Sequence, residues 1–182
     1  PPFQIRGQWP KKRQLLPPMA SVYIPLQVKK MHKGILIIDY GSQYTQLIAR
    51  RIREQKVYCE IHPFNKIPKK LINSLNPSGI ILSGGPNSVL NQKSPKLSPI
   101  IQNLNIPILG ICYGLQLLSL IHKGNIKKSS SREYGFAKIK VIRESKIIPK
   151  EWVNKNASVW MSHGDHVSKA PKDFIVTALS SN

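Results

Sequence analysis

PILGICYGLQLL, residues 107–118, changes character in its middle. Up to Gly110 it is a short apolar run of the kind that forms a strand buried on both faces. From Tyr113 the apolar positions continue as a helix would carry them. Cys112 stands at the junction, between Gly110 and Gly114. A strand that turns sharply into a helix at a glycine-flanked residue has the form of a nucleophile elbow, here with Cys in place of Ser. The positive end of the helix would lie beside the sulfur and favour thiolate over thiol. The competing reading is a small, buried, inert cysteine.

Working outward, the same alternation recurs from Gly34 onward. ILIID (35–39) is a continuous apolar run, and in the segment after it Tyr44, Leu47, Ile48 and Ile52 repeat at helical spacing. VYCEIH reads as a second strand, and PKKLINSL as a short helix opened by Pro68. GIILSGGP is a third strand that runs into a glycine turn, followed by an amphipathic stretch around Leu97 to Leu104. Strands alternating with helices predict an α/β fold, an open and mainly parallel sheet covered on both faces. After Gly124, YGFAKIKVIR and ASVWM alternate and DFIVTAL is strand-like, so a mixed or antiparallel region is expected there.

At 182 residues and 41% hydrophobic content the chain is long enough for one domain with a real core. Residues 1–30 are basic, proline-rich and without period, and are expected to form a poorly ordered extension before a folded unit over 33–182. No apolar run approaches a membrane span and no secretory h-region is present, so a cytoplasmic protein without a membrane partner is expected. Two cysteines, Cys59 and Cys112, fit a reducing compartment. The net charge of +20 is spread along the chain, with no arginine-rich stripe and no interleaved aromatics. It reads as the Lys, Ile and Asn drift of an AT-rich genome, and no nucleic-acid partner is expected.

In an open parallel sheet, ligands bind beyond the carboxyl ends of the strands. DYGSQ, SGGP and GICYG all fall there. Acyl transfer through a thiolate needs donors for the developing oxyanion. The backbone N–H groups of Gly84, Gly85 and Tyr113 are candidates, although a glycine pair before proline is also an ordinary turn. Gln116, one turn into the helix, presents its amide either to a ligand or to solvent. Cys59 lies within a strand pattern and is taken as structural. WMSHGDHVS has two histidines and an aspartate: a partial metal site, a source of a base in His163 or His166, or a turn held by Ser and Asp.

ILIIDYGSQYTQLIARRIRE, GIILSGGPNSV, PILGICYGLQLL, REYGFAKI and VWMSHGDHV together, in this order, resemble the class I glutamine amidotransferases, on the branch that forms the amino-terminal glutaminase domain of GMP synthases. The resemblance implies a flavodoxin-like fold for 33–182. It implies Cys112 as the nucleophile that attacks the glutamine side-chain amide, releasing ammonia and leaving a γ-glutamyl thioester. Gly84, Gly85 and the Tyr113 N–H would form the oxyanion hole. Gln116, Ser162, Gly164 and Asp165 would hold the amino-acid end of glutamine. No metal and no cofactor is implied in this domain; ATP and magnesium belong to an ATP-pyrophosphatase (synthetase) domain or subunit, which would use the ammonia to aminate XMP to GMP. The family's general base and orienting acid form a His-x-Glu pair, usually in FHPE, beyond the SHGD segment. No His-x-Glu occurs in these 182 residues. The resemblance therefore implies a domain incomplete at its carboxyl end, marginally stable and at most weakly active alone. The alternative is a non-catalytic remnant or interaction fragment of that enzyme.

Overall fold

The computed structural model describes residues 33–180, with the side chains of 129–134 and 162–163 outside the description. The expected extension over 1–30 lies outside the described residues. Four parallel strands form the first sheet: β1 (Ile35–Asp39), β2 (Cys59–Pro63), β3 (Gly79–Leu82) and β4 (Ile108–Gly110), in the order β2-β1-β3-β4. Ile37 lies between Ile61 on one side and Ile81 on the other, so the central strand is paired along both edges.

Burial on both faces explains why β1 is apolar at every position before its closing Asp39. Leu36 and Ile38 face one core with Ile80, Leu82, Ile72, Leu75, Ile101 and Leu117, contributed by β3, α2 (Lys69–Leu75), α3 (Pro99–Gln102) and α4 (Tyr113–Ile121). Ile37 faces the other with Cys59 and with Ala49 of α1 (Thr45–Glu54). Cys59 is buried and its thiol donates to the Ala49 carbonyl at 3.5 Å, the structural role expected of it. The result is helices on both faces of a parallel sheet, as the alternation predicts.

Two details differ from the sequence reading. The inner face of α1 carries Thr45, Ile48, Ala49 and Ile52, whereas Tyr44 and Leu47 are 48% and 46% exposed. Apolar periodicity pulls the predicted face toward the larger residues, but the close approach of α1 to β1 and β2 favours Ala49. The amphipathic stretch at 97–104 yields only the four residues of α3; Leu97 and Leu104 pack as loop residues on either side.

A second sheet, wholly antiparallel, follows α4. β5 (Asn125–Val141) pairs with β6 (Asn156–Lys169) and with β7 (Ala178–Ser180), in the order β6-β5-β7. It adjoins the parallel layer through α4, with Ile126 and Val167 joining the core that Leu117 and Leu118 occupy. SHGDHV, one reading of which is a turn, is instead an interior part of β6.

Candidate active site

The site lies where β1, β3 and β4 end together. The β3–β4 ladder runs on past the strands, with the Ile111 N–H donating to the Leu82 carbonyl at 2.9 Å. The next residue, Cys112, has φ 51° and ψ −109° and directly precedes α4. That conformation costs a side-chain-bearing residue on the order of 1–3 kcal/mol, and such strain clusters at functional sites. The elbow read from GICYG is therefore present as a measurable backbone outlier. It closes through Gly114, whose N–H reaches the Ile111 carbonyl at 3.0 Å and the Ser83 carbonyl at 3.1 Å.

The glycine turn after β3 lies against this elbow. A methyl group on Gly84 would sit 3.5 Å from Cys112 Cβ and 3.5 Å from Ser42 Oγ. A Cβ on Gly85 would meet the Tyr40 carbonyl oxygen at 2.7 Å, so only glycine fits there without a shift of backbone. Ser83, fully buried, fixes the turn from beneath: its hydroxyl accepts the Tyr40 N–H at 3.0 Å and donates to the Gly84 carbonyl at 2.8 Å. Asp39 fixes the neighbouring loop, accepting the Gly41 N–H at 2.9 Å and the Thr45 hydroxyl at 2.8 Å. Motif reasoning alone misses Asp39, Thr45 and Ser83; a polar residue at the end of an otherwise apolar buried strand is the available signal. Tyr113 is buried with its ring 5.2 Å from that of Tyr40, and its hydroxyl donates to the Pro95 carbonyl at 2.6 Å.

Across the crevice, β6 brings Asp165. The residue is 8% exposed, and Ser88, in the loop after β3, donates its hydroxyl to Asp165 Oδ2. Gln116, 6% exposed, donates its side-chain amide to the Asp165 main-chain carbonyl at 2.7 Å. The solvated alternative for Gln116 does not hold: its amide ties α4 to β6. Gly164 is half-buried beside Asp165. Ser162 and His163 pair through their backbones with Tyr134 and Glu133, and their side chains lie outside the described residues. His166 is exposed and paired with Lys127. No group of three or more His, Cys, Asp or Glu residues that could hold a metal occurs among the described residues.

Burial pushes the Cys112 thiol above its ordinary value; the Tyr113 N–H opposes this by stabilising the thiolate, and the Asp165 carboxylate adds to the rise. The local sequence leads one to expect the helix terminus to favour thiolate. The favourable N–H is there, but desolvation outweighs it. Because thiolate is the reactive form, Cys112 alkylation by iodoacetamide should keep rising as pH passes the ordinary thiol range of about 8.5. Asp165→Asn removes a raising influence and should shift the rate–pH profile to lower pH. Peptide mass spectrometry against pH measures both, and a profile that levels off below the ordinary range would contradict the assignment.

The Cys112 thiol thus stands at a strained elbow against the Gly84–Gly85 turn, near enough to the buried Asp165 carboxylate to feel its charge. The family model for class-I glutamine amidotransferases matches residues 36–182. The GMP synthase [glutamine-hydrolyzing] of Elusimicrobium minutum is 51% identical over 150 residues, covering 82% of this chain and 29% of that protein. That of Carboxydothermus hydrogenoformans is 46% identical over 148 residues, 81% of this chain and 28% of its own length. The chain thus spans less than a third of the curated relatives it matches. The crystal structure of a putative GMP synthase component from Thermoplasma acidophilum superposes with TM-score 0.66 at 27% identity, over 83% of this chain and 75% of that one. A glutamine amidotransferase from Thermotoga maritima shares the fold, with TM-score 0.60 at 17% identity over 83% of this chain and 69% of its own. The chain belongs to the class-I glutamine amidotransferase family. No helix of the described residues is long and apolar enough to cross a membrane.

Proposed function

We propose that this crevice binds L-glutamine and that Cys112 cleaves its side-chain amide, releasing ammonia for the amination of XMP to GMP in purine nucleotide biosynthesis. The observation that carries the reading is the positive-φ Cys112 held against the Gly84–Gly85 turn. The Cys112 thiolate attacks the amide carbon, and the N–H groups of Gly84, Gly85 and Tyr113 receive the oxyanion. Collapse breaks the C–N bond. The proton given up by the thiol leaves with the nitrogen as ammonia, and water then hydrolyses the γ-glutamyl thioester to glutamate. Asp165 receives the α-ammonium group, with Gln116, Ser162 and Gly164 shaping that end of the pocket.

These 182 residues hold no His-x-Glu pair, and the glutaminase rate proposed for them is several orders of magnitude below that of a site with a complete triad. The names of the relatives support a role in glutamine-dependent GMP synthesis. Use of the ammonia by an ATP-pyrophosphatase (synthetase) domain or subunit, with ATP and magnesium there and no cofactor here, belongs to the same proposal. A cytoplasmic setting agrees with the low cysteine content.

A chloroketone analogue of glutamine tests the proposal. Sulfur displaces chloride from the analogue, so a carbon–sulfur bond records attack by Cys112. Labelling should be saturable, confined to Cys112, absent from buried Cys59, and blocked by L-glutamine. Labelling that rises linearly with reagent and ignores glutamine would overturn the reading.

A further inference from the structure

Asp165 is gripped at two points by two different parts of the chain. Its main-chain carbonyl is held by Gln116 of α4, and its carboxylate by Ser88 of the loop that begins with the glycine turn. Ser88 and Asp165 are 77 positions apart in sequence, so this side-chain contact ties the loop after β3 to β6.

The Ser88 hydroxyl is itself directed. It accepts the Leu90 N–H at 3.3 Å, which leaves its proton for the carboxylate. The Ser88 carbonyl accepts the Asn91 N–H at 3.2 Å and the Ser94 hydroxyl, closing a small turn. Buried Val89 and Ser94 anchor that turn in the core. A hydroxyl held in this way fixes the carboxylate torsion of Asp165. An ionised carboxylate accepts at about four lone-pair positions, so one hydroxyl leaves acceptor capacity for a cationic group.

We propose that Ser88 is a positioning residue that sets the specificity of the site for ligands carrying an ammonium group, by locking the Asp165 carboxylate in the orientation that receives it. The inference rests on the glutamine reading above and deepens it. Ser88 touches Asp165 rather than the reacting atoms. Ser88→Ala, unlike Asp165→Asn, leaves the carboxylate charge in place, so its effect falls on ligand capture and not on the reactivity of Cys112.

The experiment is inactivation kinetics on the 182-residue chain, with three reagents read at Cys112. For the glutamine chloroketone, Ser88→Ala should raise the half-saturating concentration about tenfold, the scale of one hydrogen bond to a charged group, with the limiting rate unchanged. Ser88→Thr retains the hydroxyl and should stay within about twofold of the original. For the chloroketone lacking the α-amino group, and for iodoacetamide, Ser88→Ala should match the original chain. Two results would overturn the proposal: an unchanged half-saturation in Ser88→Ala, or equal losses with all three reagents, which would mean a general loosening of the loop. Failure of the original chain to saturate with the glutamine chloroketone would instead sink the glutamine reading, and this inference with it.

Discussion

Cys112→Gly should give a chain that the glutamine chloroketone cannot label and that is nevertheless harder to unfold. The two effects have one origin. At φ 51° and ψ −109°, Cys112 occupies a region open to glycine and costly for any residue with a Cβ. Glycine releases strain of roughly 1–3 kcal/mol. It gives back about 0.4–1 kcal/mol through the greater freedom of the unfolded chain. A net gain of about 1 kcal/mol should appear as a higher urea midpoint at unchanged slope. Cys112→Ala is the companion measurement: it also loses all labelling but keeps the Cβ and hence the strain, so its midpoint should not rise. If glycine and alanine give the same midpoint, the strain at the elbow is not real. The comparison separates what the elbow costs the fold from what the sulfur contributes to the chemistry.

Gly110→Ala should act in the opposite direction on stability and in the same direction on labelling. A Cβ at Gly110 would lie 2.6 Å from the carbonyl carbon and oxygen of Gly114 and 2.6 Å from the Leu115 nitrogen. These are backbone atoms of the first turn of α4, which cannot rotate away as a flexible side chain would. The helix start must move off β4, and Cys112 lies between the two. Overpacking of this kind costs about 1–3 kcal/mol. Saturable labelling should fall more than about tenfold, since displacement of an aligned nucleophile by even about 1 Å can cost far more. Urea denaturation together with chloroketone kinetics checks both. A stable variant with intact labelling would mean that α4 accommodates the methyl group without carrying the elbow along.

The parallel layer was legible because Ile35–Asp39, Gly79–Leu82 and Ile108–Gly110 are short apolar runs with turn residues behind them, and burial on both faces leaves little choice of residue. The elbow was legible for a related reason: Gly110 and Gly114 stand where backbone approaches backbone. The face of α1 was less so, since periodicity ranks Leu47 above Ala49 while close packing on β2 does the reverse. Contacts between distant segments left no local trace. Nothing around Ser88 announces Asp165, and nothing around Gln116 distinguishes a buried amide from a solvated one. The sign of the Cys112 shift was out of reach for the same reason: burial depends on tertiary packing, including the Gly84 turn against Cys112, while the helix terminus that opposes it is visible in the local sequence.

That shift bears on how the protein meets oxidants. Hydrogen peroxide converts thiolate, not thiol, to sulfenic acid. A crevice without substrate, in which burial and Asp165 both hold the proton on sulfur, presents peroxide with little to attack. A ligand whose ammonium group neutralises Asp165 removes one of those two restraints, and in the same event covers the sulfur that it activates. On the proposed function, the idle thiol would be shielded by its protonation and the working one by the glutamine that covers it.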